Sequence, residues 1–240
     1  MTTPVRNIAL YGGSFDPVHL GHLAVARAAA RRFQLDRIYF VPADVQPLKA
    51  QQRVTNYHHR YAMLALALQD EPRFIPSLLE APEIVRASGA PASYTVDTVR
   101  RMRERIPASA RLFFIIGMDA FRAIAKWRSP VELLRSAEFI VVSRPGFPVS
   151  EVTAALPAEL RPSEACARSL LETGSLAVGG ATIHLLPELN EEISATAIRE
   201  AAARGAGLER LVPAAVAAYI GRLKIYSAEE EPGSPEPPRV

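Results

Sequence analysis

The chain has 240 residues, of which 49% are apolar and 22% charged, and its formal net charge is +3. This composition excludes wholesale disorder, and the length allows one large domain or one domain with a small addition. The mild positive charge argues weakly for anionic small ligands and is too small to indicate nucleic-acid binding.

Cysteine content and hydropathy narrow the class of protein further. A single cysteine, Cys166, excludes an internal disulfide and a cysteine-based zinc site, which favours a reducing compartment. No apolar run approaches the roughly 20 residues that a membrane span needs, and the amino terminus reads as a first strand rather than a signal peptide. We therefore expect a soluble, cytoplasmic protein that binds neither membranes nor nucleic acid, and homo-oligomerisation stays open.

Short apolar segments alternate with helical segments along the chain. The predicted strands are Val5–Tyr11, Arg37–Val41, Phe74–Leu78, Leu112–Ile116, Phe139–Val142 and Thr182–Leu186. The predicted helices are Leu20–Phe33, Asn56–Gln69, Ser93–Ile106 with Ser93 as its cap, Ser194–Arg204 and Pro213–Leu223. Continuously apolar strands separated by helices predict an α/β fold with a doubly wound parallel sheet, whose ligand sites lie beyond the carboxyl ends of its strands.

Two stretches fall outside this alternation. Residues 148–180 are rich in alanine and proline, and we interpret them as helices and loops packed at an edge of the sheet. Residues 227–240 read SAEEEPGSPEPPRV, which is dense in proline and glutamate with no apolar anchor before Val240. This composition predicts a disordered tail after a folded domain of residues 1–226.

The strongest local signal is GGSFDPVHLGH, which follows the first predicted strand. Gly12 and Gly13 allow a tight turn and close approach of a ligand to the backbone. His19 and His22 share one face of the helix start, where unpaired N–H groups and the helix dipole favour phosphate. Gly21 between them keeps that face open. Surface histidines or a metal site are the alternatives, but zinc would need a third ligand and none is obvious nearby.

A second signal is ISATAIRE, at the start of a later helix. Ser194 is a natural N-cap, and Ile193 can pack on Ile198 one turn along. Thr196 and Arg199 are three residues apart and share a face. Hydroxyls, backbone N–H groups and a guanidinium group together suit an anion, although an ordinary capped helix with a surface arginine is the common alternative.

Together the two motifs resemble the paired signatures of the nucleotidylyltransferases. Segments between them narrow the resemblance to bacterial nicotinate-nucleotide adenylyltransferases: ASYTVDT from residue 92, FIIGMD from residue 114, SRPG from residue 143, and Trp127. The resemblance covers residues from about 5 to 225. It implies a Rossmann-like nucleotidylyltransferase fold.

The resemblance also implies a reaction. The adenylyl group of ATP is transferred to nicotinate mononucleotide, with release of pyrophosphate and with Mg²⁺ bound mainly through the ATP phosphates. Other phosphate acceptors, such as nicotinamide mononucleotide or phosphopantetheine, are the rival substrates, and a non-catalytic nucleotide sensor is the rival class. The SYTxxT segment with Trp127 disfavours acceptors that lack an aromatic base. The complete set of phosphate-site residues disfavours the sensor.

Roles follow by resemblance, position by position. His19 and His22 contact the ATP phosphates and stabilise the transition state, and Lys49 adds charge. Arg199 holds the β and γ phosphates with Ser194 and Thr196. The residues placed along the nucleotide are Gly12, Gly13, Ser14, Phe15, Asp16, Gly21, Gly117, Asp119 and Arg144. Those placed in the pyridine pocket are Tyr94, Thr95, Trp127 and Arg128.

Several of these roles have alternatives. Lys49 stands alone in a loop where many relatives carry a His-Lys or His-Arg pair. Arg128 either reaches the nicotinate carboxylate or faces solvent, and Arg144 has either a phosphate-binding or a structural role. Core packing is the alternative for Trp127, and a helix N-cap is the alternative for Asp119.

The remaining histidines and the cysteine are interpreted structurally. His58 and His59, with Arg60, are expected on a solvated helix face. His184 is expected to be a hydrogen-bonded sheet residue. Cys166 is expected to be a packing residue, since no base is visibly paired with it.

Overall fold

The structure is a computed structural model that describes residues 6–44, 54–143, 149–187 and 193–227. The strands are β1 Asn7–Gly13, β2 Arg37–Pro42, β3 Phe74–Pro76, β4 Arg111–Gly117, β5 Glu138–Ser143, β6 Ser175–Val178 and β7 Ala181–Pro187. The helices are α1 Leu20–Arg32, α2 Tyr57–Leu68, α3 Pro82–Ala87, α4 Thr95–Arg103, α5 Met118–Phe121, α6 Pro130–Ser136, α7 Val149–Ala155, α8 Glu164–Thr173, α9 Ala195–Ala203 and α10 Ala214–Leu223. None of these helices is long and apolar enough to span a membrane.

The described strands form one sheet in the order β3-β2-β1-β4-β5-β7-β6. Neighbouring strands are parallel except β6 and β7, which pair antiparallel at the edge. The chain moves outward from β1 to β3 and then returns to continue from β4 on the other side of β1. The switch point between β1 and β4 is where doubly wound folds place their ligands.

The sheet is covered on both faces because its strands are apolar on both sides. In β1, Ala9 and Tyr11 face a core shared with α1, α2 and α10, whereas Ile8 and Leu10 face a core shared with α4, α5 and α6. This alternation follows from the two-residue period of a strand. The doubly wound parallel sheet predicted from the sequence is confirmed.

Some element predictions need correction. The helix predicted from Ser93 begins at Thr95, with Tyr94 in extended conformation at its N-cap. Ser93 is buried and lies one residue before the N-cap, so it does not cap the helix. Residues 148–180 do contain helices, but they also contain β6, which has only four residues and lies at the sheet edge. The predicted tail from residue 228 onward lies outside the described residues.

The expected solvated face of α2 is wrong for one residue. Asn56 caps the helix as predicted, accepting a hydrogen bond from the backbone N–H of His58. His58 is exposed, and Nδ1 of His59 lies 2.9 Å from the hydroxyl of Tyr219. Arg60, however, is only 1% exposed. Its helical position turns it toward the sheet.

The interpretation of His184 is confirmed, whereas that of Cys166 is not. His184 is a satisfied sheet residue as expected, because its two ring nitrogens lie 2.8 Å from Oγ of Ser175 and 2.9 Å from Oε2 of Glu138. Cys166 is exposed on α8, so the expectation that it is a packing residue is wrong.

Candidate active site

The turn after β1 depends on glycine and on a buried phenylalanine. A Cβ atom on Gly12 would lie 3.0 Å from Cζ of Phe114, and one on Gly13 would lie 3.2 Å from Cζ of Phe15. Phe15 has a φ of 48°, and its fully buried ring packs edge-on against Tyr11. The side chain of Phe15 therefore supports the turn from within the core.

His19 and His22 stack on each other at the start of α1. Their ring centroids are 3.7 Å apart, and the backbone N–H of His19 donates to Nδ1 of His22 at 3.3 Å. Because this Nδ1 accepts, the proton of a neutral His22 ring lies on Nε2. Nδ1 of His19 is buried and has no hydrogen-bond partner among the described residues. A Cβ on Gly21 would lie 3.2 Å from that nitrogen, so glycine leaves room for the stacked ring.

Both histidines are neutral at pH 7. Burial lowers the pKa of His19 from 6.5 to about 4. Burial, and then the charge of His19, lowers the pKa of His22 well below its ordinary value. The first turn of α1 holds no acidic residue. The pair therefore offers ring N–H donors beside a helix N-terminus, with no nearby carboxylate in that turn to repel an anion.

The second motif lies against the first. Arg199 donates through Nη1 to the carbonyl oxygen of Asp16 at 2.8 Å and through Nη2 to Oγ1 of Thr196 at 3.2 Å. Cβ of Ile193 lies 3.8 Å from the position that a Cβ on Gly21 would take. The exposed hydroxyls at the start of α9 belong to Thr196 and to Ser194, which is at the N-cap as predicted. Two helix N-termini thus share one surface.

A buried polar network holds the turn from beneath. Arg60 donates through Nη1 to the carbonyl oxygen of Ser14 at 2.7 Å and through Nε to that of Thr55 at 2.8 Å. The carboxylate of Asp16 accepts from the backbone N–H of Thr55 at 3.1 Å and from the hydroxyl of Tyr226 at 2.7 Å. Burial lowers the pKa of Arg60, while the negative charge of Asp16 acts to raise it. Distant segments thereby fix the peptide groups of the turn.

Sequence reasoning missed Arg60 and Tyr226. The signal for Arg60 was its spacing from Tyr57 and Met63, both buried, because residues three or four apart share a helix face. Tyr226 carried no such signal. It lies in the turn after α10 and meets Asp16 only because the fold returns the chain to the carboxyl edge of the sheet.

The residues predicted to bind the pyridine ring lie at the start of α4 and after α5. The guanidinium carbon of Arg128 lies 4.6 Å from the centroid of the Tyr94 ring, and its Nη1 lies 3.7 Å from Oδ2 of Asp97. Trp127 and Tyr94 are both partly buried, and both pack against the core that the sheet shares with α4, α5 and α6. The structure therefore brings Arg128 and Tyr94 together, next to Thr95 at the first position of the helix.

Four other predicted residues have different outcomes. Gly117 ends β4 and is the N-cap of α5, with open space where a Cβ would lie. The alternative that Asp119 caps this helix is wrong, because Gly117 is at the N-cap and Asp119 lies within the first turn. Its side chain is 88% exposed and pairs with Arg122 at 3.4 Å. Lys49 and Arg144 lie outside the described residues.

The arrangement suits a ligand that carries several negative charges. Gly13 at the end of β1 and Gly117 at the end of β4 flank the switch point of the sheet. Around the end of β1 lie two neutral imidazoles, a guanidinium group, two exposed hydroxyls and the N-termini of α1 and α9. Donors of this kind bind phosphate without forming a covalent bond to it.

Residues 10–201 match the family model described as cytidylyltransferase-like. The match spans the doubly wound sheet up to α9 and includes both helix starts that carry the stacked histidines and Arg199.

Relatives narrow this class. Proteins named "probable nicotinate-nucleotide adenylyltransferase" from Pelobacter propionicus and Solibacter usitatus are each 36% identical to this chain, covering 92% of it and 98% and 99% of their own lengths. One with the same name from Symbiobacterium thermophilum is 37% identical, covering 95% of this chain and 99% of its own. The chain belongs to the cytidylyltransferase-like family and, within it, to the nicotinate-nucleotide adenylyltransferases.

Solved structures share the fold. A Plasmodium falciparum nicotinic acid mononucleotide adenylyltransferase complexed with NaAD superposes with a TM-score of 0.66 at 18% identity, covering 92% of this chain and 97% of that one. A putative nicotinate-nucleotide adenylyltransferase from Vibrio parahaemolyticus has a TM-score of 0.56 at 18% identity, covering 93% and 96%. At these identities the likeness concerns the fold alone.

Proposed function

We propose that this chain transfers the adenylyl group of ATP to nicotinate mononucleotide, forming nicotinate adenine dinucleotide in NAD biosynthesis. The observation that carries the proposal is the junction of the two motifs, where Arg199 binds the Asp16 carbonyl beside the stacked histidines. The names of relatives that match nearly the whole chain support the same reaction.

The chemistry is a direct displacement. A phosphate oxygen of nicotinate mononucleotide attacks the α-phosphorus of ATP, and the bond from this phosphorus to the oxygen bridging to the β-phosphorus breaks. The electron pair of that bond leaves with pyrophosphate, and no protein atom becomes bonded to phosphorus. Catalysis then consists of positioning the two nucleotides and stabilising the negative charge that develops on the phosphates.

The donor geometry of the histidine pair and of Arg199 supports their phosphate roles. Nε2 of His22 carries the proton of a neutral ring, so it donates to a phosphate oxygen, and buried Nδ1 of His19 has unused hydrogen-bonding capacity. Arg199 and the exposed hydroxyls of α9 receive the β and γ phosphates. Lys49 supplies a further positive charge to the same phosphates.

In this proposal the adenosine, the pyridine ring and the phosphates are assigned to different residues. The backbone segment along the nucleotides comprises Gly12, Gly13, Ser14, Phe15, Asp16 and Gly21. Gly117 and Asp119 approach the adenosine, and Arg144 a phosphate. The pyridine ring lies by Tyr94, Thr95 and Trp127, with the guanidinium group of Arg128 near its carboxylate.

Mg²⁺ is part of the proposal as an ion carried by ATP. Within the described residues no group of three or more His, Cys, Asp or Glu side chains could hold a metal ion. Mg²⁺ prefers oxygen ligands and usually keeps several waters, so the phosphate oxygens are its proposed ligands. When bound there, it neutralises part of the phosphate charge.

We also propose that residues 1–226 form the catalytic domain, that residues 227–240 form a tail, and that the enzyme acts in the cytoplasm on small molecules. The match of the family model and of the relatives to most of the chain supports a single catalytic domain.

The test is pyrophosphate release from ATP and Mg²⁺ with three acceptors in parallel: nicotinate mononucleotide, nicotinamide mononucleotide and phosphopantetheine. A strong preference for nicotinate mononucleotide is the expected result. Preference for another acceptor contradicts the assigned pyridine pocket and keeps the ATP site. Tight ATP binding without release with any acceptor contradicts the enzymatic function.

A further inference from the structure

Glu80 is a buried carboxylate that the proposed reaction does not use. It lies between β3 and α3 and is 7% exposed. Oγ1 of Thr98, which is 1% exposed, donates to its Oε1 at 2.7 Å. The same hydroxyl lies 3.3 Å from the carbonyl oxygen of Tyr94. Glu80 is therefore linked through one hydroxyl to the first turn of α4.

The groups around Glu80 come from several elements. The hydroxyl of Ser93 lies against it without forming a hydrogen bond of good geometry. The charged or titratable groups that face it are Arg101 on α4, Asp44 after β2 and Tyr57 on α2. The hydroxyl of Tyr57 is buried with no hydrogen-bond partner in the part of the chain that the structure describes. Glu80 thus sits in a closed polar pocket beneath α4.

Above this pocket is the turn assigned to the pyridine ring. Tyr94 is the N-cap of α4 and Thr95 its first residue. A helix N-terminus favours a negative group such as a carboxylate. The guanidinium group of Arg128 lies over the Tyr94 ring. The first turn of α4 is therefore contacted on its buried side by Glu80, through Thr98, and on its exposed side by Arg128.

We propose that Glu80 is a positioning residue for this site: through Thr98 it holds the first turn of α4 in the conformation that receives the negatively charged pyridine substrate. The inference rests on the proposed function. It names the residue that supports the pyridine side from the core, as Arg60 does on the phosphate side.

Because Glu80 can lose a proton near neutral pH, its positioning role should appear in the pH dependence of substrate affinity. Burial raises the pKa of Glu80 to about 7, against the opposing effects of the Thr98 and Ser93 hydroxyls and of Arg101; Asp44 adds to the rise. As pH rises through this value, a negative charge appears beside Thr98, one helical turn from Tyr94 in the turn assigned to the pyridine substrate. Affinity for nicotinate mononucleotide then falls, whereas the neutral carboxamide of nicotinamide mononucleotide responds less.

The experiment measures the dissociation constants of both mononucleotides by calorimetry between pH 6 and pH 8.5, without ATP. Because both ligands carry the same phosphate, its own titration cancels in the ratio of the two constants. In the unmodified enzyme we expect the preference for nicotinate mononucleotide to fall about threefold to tenfold as pH rises through about 7. In Glu80→Gln the ratio should be flat with pH.

Two further variants sharpen the result. Thr98→Val removes a hydrogen bond to the ionised carboxylate, so the midpoint should move to higher pH, and this variant tests the proposal if Glu80→Gln does not fold. Glu83→Gln, an exposed neighbour on α3, is the matched control and should keep the unmodified profile. A profile in Glu80→Gln equal to that of the unmodified enzyme overturns the inference alone. Absence of binding of both mononucleotides to the unmodified enzyme overturns the proposed function.

Discussion

The amino and carboxyl edges of the sheet, where the parallel strands begin and end, differ in how the hydrogen-bonding groups of their histidines are satisfied. Toward the amino edge, His184 in the middle of β7 uses both ring nitrogens, one toward Ser175 and one toward Glu138, which is the first residue of β5. At the carboxyl edge, His19 and His22 stack on each other, and within the described segments neither has a carboxylate partner. One nitrogen of His19 is buried without any partner there.

The two edges differ in the hydrogen-bonding groups that remain available to a ligand. At the amino edge, burial acts to raise the pKa of Glu138, but hydrogen bonds and charges from His184 and Arg111 outweigh it and lower the pKa to about 2. Charges and hydrogen bonds there are mutually satisfied. At the carboxyl edge the histidine pair is neutral, and a buried nitrogen of His19 has no partner among the described residues. Unused hydrogen-bonding capacity of this kind distinguishes a site for an anion from a structural network.

The largest effect is expected at the histidine pair. His22→Ala removes a preorganised donor at the reacting phosphate, so turnover should fall by about 10²–10³-fold. The variant should unfold at nearly the same temperature as the unmodified protein, which circular dichroism checks. Retention of most of the activity would contradict the phosphate role of His22.

The second largest effect is expected at Arg60, which supports the turn after β1. Arg60→Met leaves the carbonyls of Ser14 and Thr55 buried without their donor, which should lower the free energy of unfolding by about 2–3 kcal/mol and reduce turnover with it. Urea denaturation measures the first effect and pyrophosphate release the second. Arg27→Met is the control, because Arg27 pairs with Glu71 at the surface and such pairs contribute little. Equal stability of the two variants would refute the supporting role.

Substitution of His184, near the amino edge, should lower the stability of the protein without changing its turnover. His184→Ala removes the partner of Ser175 and Glu138, which should lower the free energy of unfolding by about 1–2 kcal/mol. Turnover should remain unchanged, since this edge lies opposite the proposed site. A loss of turnover comparable to that of His22→Ala would remove the distinction between the two edges.

The smallest effect should appear in acid. The pKa of Glu138 is lower in the folded protein than its ordinary value of 4.5, so its stabilisation is complete above that pH and is lost as pH falls toward about 2. The carboxylate is partly exposed, so the loss should be on the order of 1 kcal/mol. Glu138→Gln should flatten the pH dependence of urea denaturation in this range. An unchanged slope in the variant would show that other carboxylates account for acid instability.

Local patterns were enough to predict most of the framework. The sequence correctly predicts Asn56 at the start of α2 and Gly117 at the end of β4, because caps and strand ends have short sequence signatures. Ser93 and Cys166 were misplaced, because burial decides their surroundings and burial depends on segments remote in the chain. The assigned roles of the site residues stay predictions that the variants above test.

The sequence by itself predicts the parallel strands of the sheet, several of the helices, and the two helix starts that suit phosphate, since spacing and turn residues act over a few positions. It does not predict β6 or short helices such as α3 and α5. Nor does it predict the neutrality of the histidine pair and the network beneath the turn. They arise where Arg60, Tyr226 and Arg199 meet residues 14–16, up to 210 positions away. Desolvation and long-range hydrogen bonds set the charge of each group there, and both exist only once the chain has folded.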